Sequence, residues 1–303
     1  MSKKKKAIII VSSIVGTIVL TLAGGFLVFK IFNQVNEKEV DVHYEEKDVI
    51  NDNSEAGIRY NALENKNVNL LEHGFNLEEI VYLSRLSTIQ QNKFKIKTTG
   101  NAKAKVLNGL VTINQLVNAS TIRNDNQLIV ENISYSNYLK CADRFYYDFA
   151  KPNVDYYKGE AEDIDHASNY ELTKSYSNND EYKKDWGKYV YEIDCYIISS
   201  NTILESSTIE FNKDVYVVSL DLDPNKGSVN YITQMKTISS LTRDPYFENI
   251  HLDLKINKDL KIQSIDVDET YIVYKELPIL GYVAADTNNI MNVTFEYGGD
   301  YQI

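Results

Sequence analysis

The pattern of apolar and polar positions divides the 303-residue chain into four parts. Residues 7–29 are uncharged and almost continuously apolar, and residues 30–69 are mostly polar and acidic. The rest of the chain places apolar residues at regular spacing, as folded domains do. The pattern predicts a basic tail at 1–6, a transmembrane anchor at 7–29, an acidic linker at 30–69 and a folded domain at 70–303.

The apolar run at 7–29 is long enough for a helix that crosses a membrane. At about 1.5 Å per residue it would span roughly 34 Å, against about 30 Å for a hydrocarbon core. Four lysines precede it and only Lys30 follows directly, which predicts a cytoplasmic N-terminus and an extracytoplasmic domain. A cleaved signal peptide is the alternative, but its apolar region normally ends after about 7–15 residues. An uncleaved, single-pass anchor in the cell membrane is favoured.

Two stretches of the domain have the spacing of amphipathic helices. In the first, at 74–90, Asn76 and Glu79 stand three residues apart, which is typical of a capping box. Its apolar face is Leu77, Ile80, Leu83 and Leu86. The second apolar face is Val229, Ile232, Met235, Ile238 and Leu241. Each pattern predicts a helix that buries one face.

Most of the remaining domain has a period of two, which predicts β-strands. The predicted strands begin at or near residues 94, 111, 128, 144, 188, 206, 214, 250, 260 and 290. The polar segment 159–186 is predicted as a loop carrying a short helix. We therefore predict an α+β fold: an N-terminal transmembrane helix, then a curved antiparallel sheet packed on two helices.

The sequence DLDPN at 221–225 has oxygen ligands at alternate positions, like the start of a calcium loop. An EF-hand loop needs glycine at its sixth position and an acid at its twelfth, where this chain has Lys226 and Ile232. Asp223 before Pro224 is instead typical of the start of a turn or helix. No metal site and no cofactor are predicted.

The charge distribution restricts the class of partner. Five of the 32 Lys and Arg side chains, and none of the 43 Asp and Glu, lie in residues 1–30. Residues 31–303 therefore carry a formal charge of −16. Such a field disfavours nucleic acids and anionic lipid surfaces as partners of the domain. The predicted partners are the membrane itself, through 7–29, and an envelope lipid or protein.

The two cysteines, Cys141 and Cys195, have two interpretations. In an oxidising compartment they can form a disulfide, which would stabilise the fold by roughly 3–5 kcal/mol. Alternatively both are buried free thiols. The sequence leaves both interpretations open.

Aromatic residues concentrated at 146–191 are candidates for ligand binding. Tyrosine has a flat apolar ring and a hydroxyl, which suits sugars, peptides and partner proteins. The predicted ligand-binding residues are Tyr146, Tyr147, Tyr156, Tyr157, Trp186, Tyr189 and Tyr191. One alternative is that these rings only cover strand faces. An apolar groove between sheet and helices competes equally as the binding site.

The C-terminal part of the chain, about 210–297, resembles a group of bacterial domains. The resemblance is carried by DLDP at 221, QMK at 234, PYF at 245 and LDLKINKDLKIQSIDVDETY at 252. These resemble uncharacterised membrane-anchored extracytoplasmic domains of low-GC Gram-positive bacteria, which are similar in architecture to the lipoprotein-carrier (LolA/LppX-like) fold. The resemblance implies a sheet over helices, with room for acyl chains between them.

The sequence lacks the common catalytic motifs, and its four histidines (His43, His73, His166 and His251) are scattered. Two carboxylate pairs, Asp221 with Asp223 and Asp266 with Asp268, alternate with apolar residues and so share wet strand faces. We predict a non-catalytic binding or scaffolding protein of the cell envelope, with an apolar or lipid ligand between sheet and helices. The alternatives are a hydrolase using these carboxylates and a structural subunit of a membrane assembly.

Overall fold

A computed structural model of the protein describes most of the predicted domain. The described residues are 54–301, except 107–108, 138, 240, 242 and 278–280. The predicted tail, the predicted anchor and most of the predicted linker lie outside this part of the chain. Within it, no helix is both long and apolar enough to cross a membrane.

The described residues form five α-helices and eleven strands. The helices are α1 (Glu55–Asn61), α2 (Leu77–Ile89), α3 (Asn179–Trp186), α4 (Pro224–Gly227) and α5 (Val229–Ser239), with a 3₁₀ helix at Leu70–His73. The strands are β1 (Lys93–Val106), β2 (Val111–Asn124), β3 (Gln127–Tyr135), β4 (Lys140–Asp148), β5 (Lys151–Ala161), β6 (Ala167–Tyr176), β7 (Thr208–Asn212), β8 (Val215–Asp221), β9 (Tyr246–Asn257), β10 (Ile262–Leu277) and β11 (Gly281–Tyr297).

All eleven strands belong to one antiparallel sheet, in the order β6-β5-β4-β3-β2-β1-β11-β10-β9-β8-β7. In chain order, β1 to β6 lie side by side from the centre of the sheet to one edge. Strands β7 to β11 lie side by side from the other edge back to the centre. The first strand therefore pairs with the last at the centre, from Phe94 opposite Tyr297 to Val106 opposite Ala285. Residues 177–207, which include α3, connect the two edges.

The predicted sheet packed on two helices is wrong as a description of the fold. The structure is mostly one large sheet, and the described helices are short beside it. Residues 187–198 also cover the sheet, although they belong to no helix or strand. The two predicted helices are present as α2 and α5, but α5 ends before Leu241 and leaves Ile238 exposed. The sheet is also too wide for two helices to cover.

Two predicted elements are wrong in detail. The predicted loop at 159–186 contains the end of β5 and all of β6 before α3 begins. Because β6 is an edge strand with mostly exposed side chains, its polar sequence resembles that of a loop. The predicted strand from 188 is irregular: the N–H of Ile197 donates to the carbonyl of Gly227, the last residue of α4, and not to a neighbouring strand.

The predicted helix starts are confirmed at the level of individual hydrogen bonds. Asn76 Oδ1 accepts from the N–H of Glu79 at 2.9 Å, and Glu79 Oε2 accepts from the N–H of Asn76 at 3.0 Å. Asp223 caps α4 through Oδ1, with Pro224 at the first helical position. These starts depend on side chains within one turn, which is why they could be predicted locally.

The main core lies on one face of the sheet, which we call the inner face; it carries Phe94, Leu254 and Val267. Helix α2 buries Ile80 and Val81 in this core. Helix α1 lies inside the segment predicted as a linker, and it buries Ala56 in the same core. The folded part therefore includes residues N-terminal to 70.

Candidate functional site

A cavity of about 490 Å³ lies between the inner face of the sheet and the segments that cover it. Seven adjacent strands, from β4 through the sheet centre to β9, contribute its floor. At about 4.8 Å between strands, this floor is roughly 29 Å wide. Helix α5 and residues 188–198 contribute the other wall. The volume falls within the range of small-molecule sites, about 300–1,000 Å³.

The cavity exists because the inner face of β1 changes from large to small side chains. Phe94 and Ile96 are buried, but the next inner-face residues are Thr98, Gly100, Ala102 and Ala104. A side chain at Gly100 would meet the backbone and side chain of β11 within 3 Å, so this position also permits close strand packing. Thr98, Ala102 and Ala104 line the cavity and are only half-buried. Small side chains at the sheet centre leave the space unfilled.

The floor changes from apolar to polar across the sheet. One row of cross-strand neighbours in the floor reads Leu254, Ile265, Val293, Thr98, Ala119, Asn132 and Asp143, from β9 to β4. Leucine, isoleucine and valine occupy the β9–β11 side, whereas an amide and a carboxyl occupy the β3–β4 side. A molecule lying along this row would meet apolar contacts at one end and polar contacts at the other.

Helix α5, one wall of the cavity, is held close to α3. Gly187 ends α3 with a φ of 71°, and a side chain there would collide with the carbonyl oxygen of Asn230. Thr237 on α5 donates to the carbonyl of Asp185 at 2.5 Å. The two helices thus pack as one unit above the sheet, and α5 presents Met235 and Ile238 to the cavity.

A buried carboxyl group lies behind one wall of the cavity. Glu269 on β10 is 0% exposed and accepts hydrogen bonds from Tyr196 (2.6 Å), Tyr231 (3.2 Å) and Asn289 Nδ2 (2.7 Å). We call these four residues the Glu269 cluster; its two tyrosines and Asn289 line the cavity. Burial raises the pKa of Glu269, and its three donors oppose that rise. Asp268 beside it raises the pKa further.

A second carboxyl group, Asp143 on β4, lines the polar end of the cavity. Burial raises its pKa, while the hydroxyl of Tyr156, at 2.6 Å, and the charge of Lys158 lower it. On the opposite wall, Arg85 of α2 pairs with Asp194 at 3.2 Å. The cavity lining therefore includes both acidic and basic side chains.

Five aromatic residues fill a different part of the inner face. Phe145, Tyr156, Tyr176, Tyr182 and Trp186, which we call the aromatic cluster, are all buried and contact one another at centroid distances of 4.7 to 5.8 Å. Trp186 Nε1 donates to the Tyr176 hydroxyl at 2.8 Å. Two of the seven predicted ligand-binding residues, Tyr156 and Trp186, therefore belong to the core.

The other five predicted binding residues lie outside the cavity as well. Tyr147, Tyr189 and Tyr191 are half-buried, and their rings contact each other or Phe149. Tyr146 and Tyr157 contact edge to face at 5.5 Å on the outer face of the sheet. None of the seven lines the cavity. A binding role for them stays a prediction.

Both cysteines are free thiols in the structure, Cys195 buried and Cys141 half-buried. Cys195 lines the cavity and is buried, with Sγ 3.4 Å from Gln234 Oε1. Burial raises the pKa of Cys195 to about 12 and that of Cys141 to about 11. Both thiols are protonated at neutral pH and are poor nucleophiles.

The acids considered for hydrolysis do not converge on a cleft. Asp221 accepts from Ser206 Oγ and contacts His251 Nδ1, both at 2.6 Å, and Asp223 caps α4. Asp266 and Asp268 accept from asparagines of the neighbouring strand β11. None of the four lines the cavity. The described part of the chain also contains no cluster of three or more His, Cys, Asp or Glu that could hold a metal ion.

The chain has little similarity to known proteins. No protein-family model matches the chain, and no curated protein matches its sequence. One solved structure to which it is similar is a DUF1329 family protein from Desulfovibrio piger, at 7% identity and a TM-score of 0.27. That match covers 78% of this chain and 96% of the other. A likeness this weak carries no functional argument.

Two features of the sequence indicate the cavity, and both depend on residue spacing and not on composition. Small residues recur at every second position of β1 from Thr98 to Ala104. Strand alternation also places Glu269 on the same face as Ile265 and Val267, so an acid stands at a core position. Both signals follow from the period of two, but their meaning depends on which strands lie beside them.

Proposed function

We propose that the protein binds an elongated, mostly apolar ligand, such as a lipid acyl chain, in the cavity beneath the sheet. The observation that carries the proposal is the cavity itself: about 490 Å³, with apolar side chains of β9–β11 on one side and Met235 and Ile238 of α5 on the other. Apolar pockets with few polar groups are typical of ligand sites. The role is binding or carriage, without chemistry on the ligand.

The proposed location follows from the predicted anchor at 7–29. A single-pass anchor would hold the domain beside the outer surface of the cell membrane, within reach of lipids. The acidic segment predicted between the anchor and α1 would keep the domain from lying flat on an anionic surface, because like charges repel. A ligand of membrane origin fits both features.

The proposal can be tested with a substitution that places a large side chain in the cavity. Ala102 is a half-buried cavity residue, and the phenylalanine side chain of Ala102→Phe would occupy the space above β1. The matched control is Asn101→Phe, since Asn101 is the adjacent residue and is exposed on the outer face. The full-length chain and both variants are purified from membranes in the same detergent. Extracted lipid per protein is then measured by mass spectrometry.

We expect Asn101→Phe to retain as much lipid as the unchanged chain and Ala102→Phe to lose most of it. Lipid associated with the predicted anchor is common to all three proteins and cancels in the comparison. Circular dichroism and a thermal melt check that Ala102→Phe is folded. Equal lipid content in three folded proteins would show that the cavity holds none of it and would overturn the proposal.

A further inference from the structure

We propose that the cavity selects ligands whose polar group is a hydrogen-bond donor, a hydroxyl or an amine, and that Asn289 binds this group through its Oδ1 atom. The inference rests on the proposed function and adds the chemistry of the ligand's polar end. It concerns Asn289 and the Glu269 cluster, which sit beside the apolar part of the cavity.

The orientation of the Asn289 amide is fixed by its neighbour. Asn289 on β11 stands directly opposite Glu269 on β10, and its Nδ2 donates to Glu269 Oε1 at 2.7 Å. Since an amide is planar, this bond directs Oδ1 away from the carboxyl group. The neighbour of Asn289 on its other side is Ala102, whose methyl group leaves cavity space beside it.

The Oδ1 atom of Asn289 is a buried acceptor without a hydrogen bond. Asn289 is 4% exposed and lines the cavity, yet no described residue donates to this oxygen. Buried polar atoms in folded proteins are almost always hydrogen-bonded, so each exception calls for an explanation. A donor on the bound ligand supplies the missing partner.

Within the Glu269 cluster, the hydroxyl donors are already used by the carboxyl group. The hydroxyls of Tyr196 and Tyr231 both donate to Glu269, as does the Asn289 amide nitrogen. A ligand carboxylate or phosphate placed here would meet the oxygen of Asn289, with the Glu269 carboxyl behind it. Such a group would find no free hydroxyl proton in the cluster. A hydroxyl or an amine would form the hydrogen bond that Oδ1 lacks.

The first test uses the unchanged, full-length chain and a series of ligands with the same chain. Dodecanol, dodecylamine, dodecyl methyl ether and laurate are compared as competitors of the fluorescent probe diphenylhexatriene, in an amphipathic polymer without added lipid. The ether lacks the donor but is more apolar than the alcohol, so apolar burial alone favours the ether. We expect the alcohol and the amine to compete roughly 10-fold better than the ether, as for one buried hydrogen bond.

The second test changes the acceptor. Asn289→Leu keeps the approximate size of the side chain and removes Oδ1, so the alcohol should lose its advantage over the ether. The matched control is Asn288→Leu, because Asn288 lies on the outer face and bonds Asp268 at 3.1 Å. This control should keep the 10-fold preference. If Asn289→Leu does not fold, the ligand series on the unchanged chain still decides the question.

The outcomes separate this inference from the proposed function. Equal competition by the ether and the alcohol would overturn the donor inference and leave acyl-chain binding intact. A preference for laurate over the alcohol would do the same. If no dodecyl compound displaces the probe, the proposed function itself fails and the inference with it.

Discussion

The inner face of the sheet contains a filled region and an open region, and they differ mainly in side-chain size. The aromatic cluster fills the space above β4 and β5 with five rings. The cavity lies above β1, where inner-face residues from Thr98 to Ala104 are no larger than threonine. The two regions meet on β4, where Asp143 lines the cavity and Phe145 belongs to the aromatic cluster.

The difference shows that an abundance of aromatic residues marks packing in this protein. Large rings fill space and hydrogen-bond to each other, as Trp186 does to Tyr176. The cavity lies where the side chains of the sheet are too small to fill the space.

The largest loss of stability is expected from removing a ring of the aromatic cluster. Trp186→Ala should destabilise the protein by roughly 3–5 kcal/mol, the usual cost of removing a fully buried large aromatic side chain. Denaturant unfolding followed by circular dichroism measures this loss. Tyr189→Ala is the control, because Tyr189 is only half-buried beside Tyr191. A loss of less than about 1 kcal/mol for Trp186→Ala would contradict tight packing of the cluster.

A smaller, pH-dependent effect is expected at the edge of the open region, from Glu269→Gln. The pKa of Glu269 is raised above its ordinary value of 4.5, so the folded state holds the proton more tightly than the unfolded state. The stabilisation from the protonated form is complete below pH 4.5 and is lost as pH rises through the folded pKa. Glutamine does not titrate, so it lacks this dependence.

The measurement is the difference in melting temperature between the unchanged chain and Glu269→Gln across the pH range. The melting temperature of Glu269→Gln should rise relative to that of the unchanged chain as pH rises above 4.5, and the difference should then level off. Asp143, whose pKa is also raised, is present in both proteins and cancels. A difference that stays constant with pH would mean that burial does not hold the proton on Glu269.

The smallest effect is expected on the outer face, which neither region includes. Tyr146 is 37% exposed and contacts Tyr157 edge to face. Tyr146→Ala should change the free energy of unfolding by about 0.5 kcal/mol or less, as is usual for surface positions. Lipid content should stay at the level of the unchanged chain. A marked loss of bound ligand would restore the prediction that the exposed tyrosines form the site.

Local patterns predicted most of the helices and strands but not their arrangement. The capping box at Asn76 and the start of α4 at Asp223 were found because their hydrogen bonds lie within four residues. Strand β6 was missed because an edge strand exposes polar side chains much as a loop does. Residues 188–198 are rich in apolar and aromatic residues, which predicts a strand. Several of these side chains are buried, but the segment pairs with no strand.

The site was predicted only in outline. An apolar groove between sheet and helices was one of two equal candidates, and the structure contains such a cavity. Its residues could not be named, because lining depends on neighbours that are distant in the chain. Ala102 borders Asn289 only because β1 pairs with β11, and that pairing joins residues almost 190 positions apart.

By itself, the sequence determined where α2 and α4 begin and which positions of most strands face inward, because these properties depend on neighbours a few residues away. The tertiary structure alone decided that β1 lies at the centre of an eleven-stranded sheet, between β2 and β11. That placement puts the small side chains of Thr98, Ala102 and Ala104 in the floor of a cavity, and it sets Glu269 and Asn289 close to them. Cavities and buried polar atoms are properties of packing between distant segments, so no local pattern can specify them.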